Sequence, residues 1–265
     1  MGQFSRQEAS SNFADLWLED RVVSADAHVK LLWPQFLDLD FTQLSILPTE
    51  AANYCRNRRV LDVGCGDGSF LAIVAEHGYH NLTGFDVNET LIKAASLKLP
   101  HVEFTVADAA KRWPFEDRSI DVVVASNVAM HLTDQELSAF FTEAYRTLAA
   151  DGHLYLAVVN FDWAASRYSL QTMHEKLFLR PASSNKLRVD EYVRPAEYIV
   201  ELAEQQGLAS FPVGHGQDVR IEMSEHLSVA QQENVGRKLF TWFLFHKPSE
   251  LKVFRNPQVL NEQGG

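Results

Sequence analysis

The chain is short of cysteine. Only Cys55 and Cys65 occur among 265 residues. Two cysteines give no disulfide framework and no Cys/His spacing of a metal site, so the expectation is no metal. Long apolar runs are also absent. Nothing approaches the ~20 residues that span a bilayer, and the polar N-terminus has no signal-peptide core, which predicts a cytoplasmic protein with no membrane partner. Positive charge is scarce: 24 Lys and Arg stand against 35 Asp and Glu, for a net charge of −11. Nucleic-acid binders present a basic face to phosphates, so no nucleic-acid partner is expected. The small cluster Arg56, Arg58 and Arg59 reads as a solvated strand entry. There is no internal repeat and no low-complexity tract.

What remains is ordinary globular composition with 46% hydrophobic residues. Its most ordered stretch is Val60-Leu61-Asp62-Val63-Gly64-Cys65-Gly66-Asp67-Gly68-Ser69. This reads as a buried strand, a glycine loop and a helix start. Glycine lets backbone approach a ligand, and helix-start amides offer donors. A dinucleotide fingerprint requires Gly-x-Gly-x-x-Gly. Here the third glycine, Gly68, comes one residue early. A carboxylate at Asp62 would repel a pyrophosphate and suits a ligand carrying an ammonium group.

Downstream, helices and strands alternate. Ser69 to His77 predicts a helix closed by Gly78, and Asn81 to Val87 a strand. Asn88 caps a helix from Glu89 to Leu99. Val102 to Val106 and the β-branched run from Ile120 to Ala125 are further strands, the latter central and covered on both faces. Thr133 and Glu136 form a capping box. The helix it opens carries Leu137, Phe140, Phe141, Ala144, Tyr145 and Leu148 on one face, and Gly152 is expected to end it. His153 to Val159 reads as a fifth strand. Residues 160–191 show no strand-like run. A helix follows Arg194-Pro195 and ends at Gly207, and strands are expected within 208–213 and 239–246. This alternation predicts an α/β fold with a doubly wound, mostly parallel sheet. Ligands of such sheets bind beyond the carboxyl ends of the strands.

The string from Val60 to Gly68 resembles motif I of the class I S-adenosylmethionine-dependent methyltransferases, and the resemblance extends to about Asn160. It implies a seven-stranded Rossmann-like sheet ending in an antiparallel hairpin, with S-adenosylmethionine as cofactor. Asp86, 24 residues after Asp62, falls where related nucleotide folds place an acid on a ribose, and the family gives it that role. The resemblance implies that Asp108 and the Ala109 amide meet the adenine and that Val87 packs on its face. It also implies that Asp62, Gly64 and Asn127 hold the amino-acid end, with Cys65 and Gly66 in the cofactor loop. His131, four residues after Asn127, is a proton-acceptor candidate for a hydroxyl or ammonium acceptor, or a structural histidine.

The reading is therefore a single domain: an N-terminal helical segment (1–56), a core (57–160), a helical substrate cap (161–207) and C-terminal strands (208–265). Aromatic residues Trp17, Trp163, Tyr168, Tyr192 and Tyr198 are candidates to line the pocket of a small-molecule substrate. Arg167, Arg180, Arg188 and Arg194 are candidates for a charged acceptor group. The alternatives are a catalytically silent cofactor-binding subunit and a nicotinamide oxidoreductase, the latter disfavoured by the glycine spacing. Composition leaves the acceptor and the oligomeric state open.

Overall fold

The structure, a computed structural model, describes residues 57–76, 78–167, 169–180, 191–210 and 240–248. The N-terminal helical segment with Trp17 lies outside these residues, as do Tyr168, Arg188 and the connection between the last two strands. Among the described residues no helix is long and apolar enough to cross a membrane.

The elements are β1 (Val60–Val63), α1 (Ser69–Glu76), β2 (Leu82–Asp86), α2 (Glu89–Lys98), β3 (Glu103–Val106) and β4 (Ile120–Ser126). A 3-10 turn (Ala129–His131) precedes α3 (Asp134–Thr147) and β5 (Leu148–Val159). Then follow α4 (Phe161–Arg167), β6 (Gln171–His174), β7 (Leu177–Arg180), β8 (Glu191–Val193), α5 (Ala196–Gln205), β9 (Ala209–Ser210) and β10 (Phe240–His246). Seven strands form one sheet in the order β3-β2-β1-β4-β5-β10-β9. The first five are parallel, and β10 runs antiparallel between β5 and β9. The chain leaves β1 toward β2 and β3, then returns to place β4 on its other side. The strand order therefore switches between β1 and β4, which opens a crevice at their carboxyl ends.

Strand periodicity builds the two covering layers. Leu61 and Val63 of β1, Val123 and Ala125 of β4, and Leu154 and Leu156 of β5 join one buried cluster with Phe140 and Phe141 of α3. Their neighbours Val60, Val122, Val124 and Tyr155 join another, with Leu71 and Val74 of α1. Alternate residues thus pack on opposite faces, as a sheet sandwiched between helices requires.

The helix caps form as the sequence predicts. Asn88 accepts from the amides of Thr90 and Leu91, and Thr133 and Glu136 make the reciprocal capping box. The end of α3 differs. The helix stops at Thr147, Leu148 is already extended (φ −62°, ψ 134°), and Gly152 lies inside β5. The terminator is a side chain rather than a glycine. Lys247, buried just beyond β10, donates to the carbonyls of Tyr145 (2.8 Å) and Leu148 (3.0 Å). A cation suits the negative end of a helix.

Residues 161–207 also depart from the expected helical cap. The short helix α4 is followed by a separate antiparallel sheet, β6-β7-β8. Its strands have three or four residues, and β6 is exposed along its whole length. Such a strand shows no apolar alternation to read. The basic entry to β1 is only partly solvated: Arg58 donates to the Asp121 carbonyl and meets His153 Nδ1, both at 3.1 Å. This contact lies at the amino end of β4, away from the crevice.

Candidate active site

The glycine loop joins β1 to α1 and folds back over β2. The amides of Gly64 and Cys65 both donate to the Phe85 carbonyl, at 2.8 and 3.0 Å. Gly64 has φ +70°, and a Cβ there would lie 2.4 Å from Val128 Cγ2. The loop can therefore pack against the exit of β4 only as glycine. Gly66 also has positive φ (+53°), but its missing side chain faces open space, with nothing within 4 Å. The loop is tight below and open above.

Two carboxylates belong to the strands that carry the loop, Asp62 in β1 and Asp86 at the end of β2. Asp62 is buried inside β1, opposite Gly84 of β2. Among the described residues no hydrogen bond reaches its side chain. Burial, with Asp86 adding repulsion, holds its carboxyl well above the usual range. Asp86 ends β2. One of its oxygens accepts from the Gly66 amide (3.0 Å) and the other from the Asn88 amide (2.8 Å). Burial raises its pKa, and these amide bonds act against the rise. Each oxygen retains capacity to accept a further hydrogen bond. The Cys65 thiol is buried and pushed well above its ordinary value, first by burial and then by Asp62 and Asp86. Burial thus disfavours the thiolate, the nucleophilic form of the side chain.

The third strand end continues this rim. Val87 is half-buried beside Asp86. The Ala107 amide donates to the Asp86 carbonyl (3.0 Å), tying the loops after β2 and β3 together. Asp108 caps its own turn through the Ala110 amide (2.9 Å). The Ala109 carbonyl accepts from Trp113 Nε1 (3.0 Å), a ring that packs edge-on to Phe85 and Phe140. Trp113 drew no notice in the sequence, because nothing local marks it as the prop of this loop.

On the other side of the switch, Asn127 follows β4 with φ +60°. Its amide donates to the Ala157 carbonyl of β5 (3.0 Å). A left-handed residue other than glycine at a strand end is a strained position of the kind found at ligand sites. Val128, over Gly64, links it to the 3-10 turn that ends at half-buried His131. Asp62, Gly64, Cys65, Gly66, Asp86, Val87, Asp108, Ala109, Asn127 and His131 thus all lie at the carboxyl edge of the sheet.

The aromatic candidates divide. Trp163 lies within α4 and Tyr192 within β8. Tyr198, on α5, donates its hydroxyl to Asp134 (3.0 Å) and packs on the main core. Arg194 is not available to an acceptor group. It is 3% exposed, and its guanidinium is engaged by Asp134 and by two carbonyls of the His131 turn. Its only signal is Asp134, 60 residues earlier, which no local pattern connects to it. Among the described residues no cluster of metal-ligating side chains forms.

Comparison with known proteins gives the same region a relationship. Residues 60–152 match the family model described as a methyltransferase domain. A probable S-adenosylmethionine-dependent methyltransferase of Mycobacterium tuberculosis is 32% identical over 123 residues, 45% of this chain and 42% of that protein. A ubiquinone biosynthesis O-methyltransferase of Vibrio atlanticus is 25% identical over 149 residues, 54% of this chain and 60% of that protein. The chain spans about half the length of the curated relatives it matches. Among solved structures, a methyltransferase of Methanosarcina mazei superposes with a TM-score of 0.59 at 21% identity. That match covers 77% of this chain and 99% of the other, and it shows the fold.

Proposed function

We propose that this chain, whose residues 60–152 match the family model of a methyltransferase domain, is a class I S-adenosylmethionine-dependent methyltransferase that transfers a methyl group to a small-molecule acceptor at O, N or C. The observation that carries the reading is the pair of carboxylates at the glycine loop: buried Asp62 in β1 just before it, and Asp86, which accepts from the Gly66 amide.

The donor set fits the cofactor. A buried carboxylate with no hydrogen bond to it among the described residues suits an ammonium, which gives Asp62 the amino-acid end, with backbone groups of Gly64 and Asn127 beside it. Asp86 keeps acceptor capacity on both oxygens, as a ribose diol needs. Cys65 and Gly66 contribute backbone and a small profile to the loop. Val87 offers an apolar face for adenine, and the Asp108 carboxylate and Ala109 amide offer an acceptor and a donor for its edge. When bound, S-adenosylmethionine supplies a methyl carbon activated by its sulfonium.

The chain's remaining task is alignment and exclusion of water. The loop after β4 brings His131 to the same edge, where its imidazole would accept a proton from an acceptor that arrives protonated. Segment 161–207 is the cap in this proposal, with Trp163, Tyr192 and Tyr198 as its candidate substrate-binding residues. The Vibrio relative, named for O-methylation in ubiquinone biosynthesis, supports a small-molecule acceptor.

The test is incubation with methyl-labelled S-adenosylmethionine and a metabolite extract, followed by identification of the labelled product. Label is expected in a small molecule and should require active protein. Cofactor binding with no label in any metabolite would instead mark a silent binding subunit.

A further inference from the structure

We infer that Arg194 is a positioning residue that holds the His131 turn in register with the cofactor crevice. Three donors of one buried guanidinium converge there. Nε meets Asp134 Oδ1 at 2.8 Å, Nη1 meets the Ala129 carbonyl at 3.2 Å, and Nη2 meets the Leu132 carbonyl at 2.6 Å. Ala129 and Leu132 bracket the turn at its first residue and just past its last. The turn's own bonds are few: His131 to Val128 (2.9 Å) and Leu132 to Ala129 (3.2 Å). A single 3-10 turn has poor hydrogen-bond geometry and little stiffness of its own. The planar fork of arginine supplies what the turn lacks, and a lysine ammonium cannot match that geometry.

The clamp also joins the turn to its surroundings. Asp134 opens α3 and accepts the Tyr198 hydroxyl of α5 on its other oxygen. The Tyr192 ring of β8 lies 5.8 Å from the guanidinium carbon. Val193 of β8 packs with Met130 of the turn. Arg194 is therefore the point where the small sheet, the turn and the N-terminus of α3 meet. The functional part of this inference rests on the methyltransferase reading, because only there does the place of His131 matter to a reaction.

The experiment compares the full-length wild type with Arg194→Gln and Arg194→Lys. In Arg194→Gln the amides of His131 and Leu132 should exchange with solvent roughly tenfold faster, as loss of charged hydrogen bonds implies. The His131 ring resonance should move, and label incorporation from the extract should fall by about a hundredfold, the order expected from a small misplacement. Affinity for S-adenosylhomocysteine should stay near wild type, because none of the residues assigned to the cofactor is a hydrogen-bond partner of Arg194. Arg194→Lys should restore part of each loss.

Lys247→Met is the matched control. It removes another buried cation on two carbonyls, at the far end of α3, and should lower thermal stability without moving the His131 resonance. Unchanged exchange and an unchanged His131 resonance in folded Arg194→Gln would overturn the inference. So would the same His131 shift in Lys247→Met. If Arg194→Gln does not fold, Arg194→Lys, which keeps the charge but not the planar fork, takes its place. That variant should speed exchange in the turn by a smaller factor, and no change would overturn the clamp. Failure of the wild type to bind S-adenosylhomocysteine would sink the methyltransferase reading, while the exchange data would still decide whether the clamp exists.

Discussion

Asp62 and Asp86 are carboxylates that the fold has taken partly out of water while leaving them something to bind. The consequence shows first in stability. With the folded pKa of Asp62 raised above its ordinary value of 3.8, the unfolded chain releases its proton at lower pH than the folded one. The contribution of Asp62 to stability is then fully present below 3.8 and is lost as pH rises through the raised value. Asp62→Asn should therefore melt higher than wild type at neutral pH, with the gap closing under acid. Thermal melts across pH in the absence of ligand check this, and a variant less stable at pH 7 would contradict it. The same substitution should weaken S-adenosylhomocysteine, since the amide offers no charge to an ammonium. Stability and binding are expected to move in opposite directions at this one residue.

Gly64 and Arg194 show what was legible at this scale. The carboxylates, the glycines and Asn127 lie in or just after strands whose order can be read along the chain, so their meeting at one edge follows from fold class. The need for glycine at position 64 comes from Val128, 64 residues away. Gly64→Ala should force the loop off Val128 and weaken cofactor binding as well as stability, which a melt paired with a titration would detect. Arg194 acts through carbonyls, which leave no trace in a side-chain pattern.

Among the elements, α3 best separates local from distant causes. Its start was legible because the capping box is contained in four residues, Thr133 to Glu136. Thr133→Ala should cost about 1 kcal/mol, the usual worth of an N-cap, measured by denaturant unfolding. Its end was not legible, because the group that closes it arrives from beyond β10. The strands β6 to β8 were missed for a different reason. They are short, and β6 has no buried face, so periodicity had nothing to act on. The final hairpin was legible in part: β9 and β10 pair as expected, and β10 takes the inner place beside β5.

For the molecule as a whole, opposite ends of the sheet respond differently to pH. At the crevice end the raised carboxylates favour acid. At the amino end of β4, burial and the neighbouring Arg58 push His153 down to about 4. A histidine with a depressed folded pKa stabilises the fold above its ordinary 6.5 and loses that contribution as pH falls toward 4. His153→Gln should therefore flatten the loss of stability between those values, and pH-resolved melts of the two proteins would show it. Such a difference between one end and the other is consistent with a core in which binding and support are separated along the strands.

The central claim is that the crevice between β1 and β4 binds S-adenosylmethionine through Asp62 and Asp86. Isothermal titration of S-adenosylhomocysteine into the full chain tests it most directly, with Asp86→Ala and NAD as comparisons. Wild type should bind S-adenosylhomocysteine. Asp86→Ala should bind it about 10- to 100-fold more weakly, the worth of charged hydrogen bonds to a diol, and NAD should give no heat. Binding of NAD in place of S-adenosylhomocysteine, or an Asp86→Ala affinity equal to wild type, would contradict the account.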